Sequence, residues 1–212
     1  GGSELVAATG NVAINASATA TGNAIYSLAG KVVALGGNVA ITGTSAAGTG
    51  SNSIVISGLV SASALVNIGA VSTGNVTIVV PGTLTSGTGT TVGTATTTGP
   101  VAITISGVIT SAVAVPPITI NGGTSTDTIT VTGALTGATT INGLAGANLY
   151  YLKPQAGAAI VVNGGAGVDT IQILTSLLNI VTANLVSATF TTASGFQSWG
   201  PNTSIDTIIP FV

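Results

Sequence analysis

Ile118-Thr119-Ile120-Asn121-Gly122-Gly123 is followed by Thr139-Thr140-Ile141-Asn142-Gly143-Leu144, and then by Ile160-Val161-Val162-Asn163-Gly164-Gly165. The three Asn-Gly pairs stand 21 residues apart. The agreement runs past the turn, because Asp127, Asn148 and Asp169 fall in register, as do Ile129, Tyr150 and Ile171, and then Val131, Leu152 and Ile173. Each unit reads as a strand, an Asn-Gly turn, an acidic or amide residue, a second strand and a loop. A unit this small cannot bury its own apolar face and must stack on its neighbours. The pattern predicts an all-β fold, a β-solenoid (parallel β-helix or β-roll-like) with coils of about 21 residues. Each coil then adds about 4.8 Å, and every strand pairs in parallel with its equivalents above and below. Ile120, Ile141 and Val162 should form one inward ladder, while Thr140, one step away, points to the opposite face.

Outward from this segment the pattern loosens. Gly10-Asn11-Val12-Ala13-Ile14 recurs as Gly37-Asn38-Val39-Ala40-Ile41 after 27 residues, and Ile56 precedes Ile78 by 22, so the coils are unequal or the packing differs. Strands are expected at Val12–Ile14, Val39–Ile41, Ile54–Ile56, Leu65–Ile68, Val76–Val80, Val101–Ile105, Ile118–Ile120, Thr128–Val131, Ile160–Val162 and Thr170–Ile173. Alternation such as Val101-Ala102-Ile103-Thr104-Ile105 is the period-2 mark of a strand with one buried face. Gly, Asn and Ser after most runs supply turn conformations closed to β-branched residues. The chain is read as a single all-β domain over 1–212, with looser repeats in 1–117, a regular region in 118–180 and a C-terminal strand or capping segment in 181–212. Strands at this spacing also suit the competing architecture, a β-sandwich or jelly-roll filament subunit. Leu174, Leu177, Leu178, Val181 and Leu185 have helical spacing, with Thr175 or Ser176 as N-cap, and offer a short capping helix, the alternative being continued strands.

Charge narrows the function. Only two residues are Lys or Arg and four are Asp or Glu, and His, Cys and Met are absent from all 212 positions. An ordinary domain carries about a quarter charged residues. Without basic residues there is no footprint for a phosphate backbone, so nucleic acid is set aside. Gly, Ser, Thr and Asn interrupt every apolar run before it reaches the roughly 20 residues of a membrane helix. No nucleophile and base can be assembled without His or Cys, so the chain is read as no enzyme; a glycosidase-like pair drawn from Glu4, Asp127, Asp169 and Asp206 would lack the usual aromatic cleft. A surface with so little charge has little to hold molecules apart, and self-association is the expected behaviour. With no residue type that normally titrates between roughly pH 5 and 9, stability is expected to be flat there. Gly1-Gly2-Ser3-Glu4 shows no signal peptide, and the chain is expected to be a processed form or a fragment.

Gly164-Gly165-Ala166-Gly167-Val168-Asp169-Thr170-Ile171-Gln172 matches the nonapeptide G-G-x-G-x-D-x-U-x in full. Here the chain resembles the RTX, or haemolysin-type, calcium-binding repeat family. That resemblance implies Ca²⁺ held between coils, with Asp127 and Asp169 as the metal ligands. Gly122 to Thr130 matches only in part, with Ser125 where the glycine after the Gly-Gly pair would stand, and Asn148 stands where the middle unit would carry Asp. The competing reading is a turn in which each Asx side chain caps its own backbone; it is favoured because so few negative charges hold Ca²⁺ poorly. No other cofactor is expected.

Thr128-Ile129-Thr130-Val131-Thr132 and Thr94-Ala95-Thr96-Thr97-Thr98 offer flat hydroxyl arrays of the kind ice-binding solenoids use. Sequons at Asn15, Asn75 and Asn202 are candidate glycosylation sites and make glycans candidate partners. The run Asp206 to Val212 either adds a strand to a neighbouring subunit or closes its own core. In composition and repeat style the chain resembles secreted bacterial and archaeal β-repeat proteins of cell surfaces and filaments. The reading is therefore an extracellular or cell-surface structural protein that binds copies of itself as a filament, fibre or surface layer. The alternative is an adhesin with a carbohydrate-binding or ice-binding face.

Overall fold

A computed structural model describes residues 3–18, 22–45, 50–112, 118–153, 160–174, 180–184, 189–192 and 204–211. These residues form strands and no helix. The first coil holds β1 (Glu4–Ala7), β2 (Val12–Ala18) and β3 (Ala24–Leu28), and the second β4 (Lys31–Ala34), β5 (Val39–Ser45) and β6 (Asn52–Ile56). Then come β7 (Leu59–Ala62), β8 (Leu65–Val71) and β9 (Val76–Val80), followed by β10 (Thr83–Ser86), β11 (Gly89–Val92) and β12 (Val101–Ile105). The next coils are β13 (Val108–Ser111), β14 (Ile118–Asn121), β15 (Thr128–Val131), and β16 (Ala134–Thr136), β17 (Thr139–Asn142), β18 (Leu149–Leu152). The chain continues through β19 (Ile160–Asn163), β20 (Thr170–Leu174), β21 (Ile180–Asn184), β22 (Thr189–Thr192) and β23 (Thr207–Phe211).

Every third strand stacks on the last. The first sheet runs β1-β4-β7-β10-β13-β16, the second β2-β5-β8-β11-β14-β17-β19, and the third β3-β6-β9-β12-β15-β18-β20-β23. All three are parallel, and together they make a β-solenoid. The expected ladder is present, since Ile120 pairs with Ile141 and Ile141 with Val162. Ile129, Tyr150 and Ile171 form the facing ladder of the third sheet. All six side chains are fully buried, and each contributes roughly 1.5–3 kcal/mol before chain entropy is counted.

The structure adds what the repeat alone does not show. Paired positions lie 27 residues apart at Val12–Val39 and 24 apart at Val66–Thr90, and settle at 21 only from Ile118 onward. Ile78 pairs with Ile54, not with Ile56, so the 22-residue spacing is no register. The first sheet is absent from the sequence-derived strands, because in strands of three or four residues the alternation of burial sets only one large side chain inward, as with Val60, Leu84 or Ile109, and leaves no repeat of apolar residues to read. Val181, read as a helical position, lies in β21, which pairs antiparallel with β22; residues 175–179 and Leu185 lie outside the described residues. The C-terminal run closes the protein's own stack, with β23 parallel to β20.

Glycine has a use here beyond turn geometry. Gly58, Gly82, Gly107 and Gly133 stack at the corner between the third and first sheets, each N–H donating to a carbonyl of the coil before: Gly58 to Leu28, Gly82 to Ile56, Gly107 to Val80 and Gly133 to Ile105, at 2.9–3.1 Å. A Cβ on any of them would collide with the carbonyl oxygen of the glycine one coil earlier, namely Gly30, Gly58, Gly82 and Gly107. None of the four has a left-handed φ. The backbones close to contact at this corner, and any side chain would wedge the coils apart.

Candidate functional site

A column of acidic and amide residues lines the corner that feeds the third sheet, where Asp127, Asn148 and Asp169, all buried, and the exposed Asp206 stand one per coil immediately before β15, β18, β20 and β23. Each side chain serves backbone N–H groups. Asp127 Oδ1 accepts from Val101 N at 2.8 Å and Oδ2 from Gly123 N at 2.6 Å. Asn148 Oδ1 accepts from Asp127 N at 2.9 Å, Asp169 Oδ1 from Asn148 N at 3.0 Å, and Asp206 Oδ2 from Asp169 N at 2.8 Å. Thus each Asx reaches one coil back and holds it. This extends the turn reading, which had each side chain capping only its own backbone.

The Asn-Gly glycines make room for these side chains. A Cβ at Gly122 would collide with Asp127 Oδ2, one at Gly143 with Asn148 Nδ2 and Tyr150 Oη, and one at Gly164 with Asp169 Oδ2. The Asn members lie on the outer face, where Asn142 Nδ2 donates to Asn121 Oδ1 and Asn163 Nδ2 to Asn142 Oδ1, both at 2.9 Å. Leu144 occupies the coil position of Gly123 and Gly165, and its φ of 70° is one that Gly165, at 96°, adopts without a Cβ penalty.

Asp127 and Asp169 are 1% and 0% exposed. Burial pushes the Asp127 carboxyl up to about 6, against the lowering effect of its bonds to Val101 and Gly123. Burial likewise raises Asp169, opposed by the Asn148 hydrogen bonds and aided by Asp206. Tyr150 is raised by burial and then by the charges of Asp169 and Asp127. The pH-flat expectation is thereby corrected. An Asp whose folded pKa lies above its unfolded one holds its proton more tightly when folded, so the stability it lends is complete below about pH 4 and lost as pH rises through about 6.

As calcium ligands the two carboxylates do not converge. Asn148 stands between them in the column, so they are separated by two coil steps, about 10 Å. Both oxygens of Asp127 are already engaged by N–H groups, and among the described residues no three of His, Cys, Asp and Glu gather around one point. We expect millimolar Ca²⁺ or EDTA to shift the thermal midpoint by less than about 1 °C. A rise with Ca²⁺ that Asp169→Ala removes would contradict this.

The surface is nearly free of charge. Besides the two buried aspartates, Glu4 pairs with Lys31 at 2.6 Å across β1 and β4, which leaves Lys153 and Asp206 as the other charged side chains, both exposed. At the first coil β1, β2 and β3 each have a neighbour on one side only among the described residues. Leu5, the inward partner of fully buried Val32, is 49% exposed, and Ile14, Tyr26 and Leu28 are half-buried. Asn15 lies exposed on β2, where its side chain accepts from Thr42 Oγ1; Asn75 is exposed ahead of β9, and Asn202 lies outside the described residues.

The hydroxyl arrays are discontinuous. Thr128 and Thr130 face outward, but the column through Thr128 continues to Ala102 on one side and Leu149 on the other. Residues 94–98 form no strand, and Thr97 is buried, donating to Ala70 O at 2.7 Å.

Compared with known proteins, the chain matches no family model, no curated protein and no solved structure. The RTX resemblance therefore rests on its nonapeptide alone. No helix among the described residues is long and apolar enough to cross a membrane.

Proposed function

We propose that this chain is an extracellular structural protein that associates with copies of itself into a filament, fibre or surface layer. One observation carries the reading: the fold buries two carboxyl groups, pairs Glu4 with Lys31 and leaves outer sheet faces of Thr, Ser, Asn, Val and Ala with little electrostatic to repel a second copy. The first coil supports it, because three parallel edge strands around a half-open apolar interior are a template for a further coil, whichever chain supplies it. The absence of any Cys, Met or His suits a material that must outlast oxidation.

The test is sedimentation velocity with electron microscopy at about 50 mM and 1 M NaCl, a range over which the Debye length falls from above 10 Å to about 3 Å. Assemblies present at both salts, unchanged in size, are expected. Monomers at every concentration, or assemblies dissolved by salt alone, would overturn the proposal.

A further inference from the structure

We propose that Asp169 is a carboxylic acid in the folded protein and that its O–H donates to the carbonyl oxygen of Ser204, fastening the last coil, Ser204 to Phe211, onto the stack. The comparison of three successive coils at one corner leads there. At Asn148 the outer side-chain atom is a donor, and Nδ2 gives its hydrogen to Gly164 O at 3.2 Å. A Cβ at Gly143 would collide with both of those atoms, which marks the pocket they share. One coil later a Cβ at Gly164 would collide with Asp169 Oδ2 and Ser204 O, so the same pocket now holds two oxygens. Asp169 Oδ2 is buried and has no hydrogen-bond partner among the described residues. Asp127, one coil before Asn148, escapes this conflict because Gly123 N donates to its Oδ2.

Two acceptors lining one pocket out of water leave a buried polar atom unsatisfied, and one proton placed between them removes both the charge and the conflict. The proton is taken from solvent as the coil docks and returned as it opens. The titratable groups around Asp169 favour holding it. Asp206 lies ahead of β23 on one side and Tyr150 on β18 on the other, and ionisation of either opposes a second negative charge, against the pull of the Asn148 hydrogen bonds; Asp127 lies beyond Tyr150, ahead of β15. Neither lysine offsets this, since both are exposed, Lys31 on β4 and Lys153 past the far end of β18. Asp169 also carries the rest of the junction: its C=O accepts from Asp206 N at 3.0 Å and Thr207 N at 3.1 Å, and its N–H donates to Asp206 Oδ2. Coil closure and protonation are thus linked, and alkaline medium should loosen the last coil first.

The experiment compares wild type with Asp169→Asn and Asp127→Asn. Asparagine at 169 repeats the Asn148 arrangement, with Nδ2 on Ser204 O and Oδ1 still accepting from Asn148 N, so at pH 7.5 its midpoint should exceed that of wild type by about 4 °C or more, with the gap closing towards pH 4. Asparagine at 127 sets Nδ2 against the Gly123 N–H, and its midpoint should fall. Infrared spectra of the wild type at pH 7.5 should show the C=O band of a protonated carboxyl, kept in Asp127→Asn and lost in Asp169→Asn. A wild type without that band, or an Asp169→Asn protein that is less stable than wild type or does not fold, overturns the proposal.

Discussion

Gly107→Ala is expected to cost about 4 kcal/mol or to prevent folding, although alanine in place of glycine commonly stabilises a protein through its unfolded state by about 0.4–1 kcal/mol. The added methyl would meet the Gly82 carbonyl oxygen and the Pro81 backbone, which are main-chain atoms and cannot rotate away. Relief would require separating two coils that are bonded at 2.9 Å by Gly107 N to Val80 O and at 3.0 Å by Val108 N to Gly82 O. Gly10→Ala is the control. Gly10 has a φ of +84° but open space for a Cβ, so it should lose only the roughly 1–2 kcal/mol of a left-handed alanine. Urea unfolding of both variants ranks the two costs. If Gly107→Ala proved the milder change, stacking at this corner would be looser than the contact geometry requires.

The second large effect is Ile141→Asn, expected at about 4 kcal/mol, against less than about 1 kcal/mol for Thr140→Asn. Ile141 is fully buried between Ile120 and Val162, and an amide there would find apolar neighbours above and below. Polar residues do point inward elsewhere in this protein, but they sit near corners where a partner is at hand: Thr139 Oγ1 donates to Gly137 O at 3.2 Å, and Thr90 Oγ1 to Ser86 Oγ at 3.0 Å. The middle of β17 offers none. Thr140 lies on the outer face beside Thr119 and Val161, where an amide keeps its water. Equal tolerance of the two substitutions would dissociate the repeat from the burial it is held to encode.

What could be read in advance follows from how many residues of a coil alternate. The second and third sheets supply four or five consecutive positions per strand from Ile118 on, so Ile120, Ile141 and Val162 declared their ladder by spacing alone. The first sheet did not. A strand such as Ala134–Thr136 presents one buried residue, Leu135, and one residue has no period. The Asp127–Asn148–Asp169 register was legible too, but not its chemistry, because metal ligation and backbone capping draw on the same residue types and only burial with N–H partners separates them. The glycine column was hidden in another way. Gly58, Gly82, Gly107 and Gly133 recur at spacings of 24 to 26, and in a chain with 31 glycines such recurrence looks like ordinary turn composition until the coils are stacked.

The 21- to 28-residue distance between strands paired in parallel, which widens to 37 only at β20–β23, also sets how this protein should open. Every contact between sheets' neighbouring strands is local in the chain, so a coil needs only the coil beside it to form, and no pairing waits for a distant segment. Opening should then travel inward from the two ends, one coil after another. Amide hydrogen exchange would record it as a gradient, fastest in β1–β3 and β23 and slowest in the coils around β11 to β15, which have neighbours on both sides. In such a stack the protection of an amide is a matter of position, growing with the number of coils between it and the nearer end.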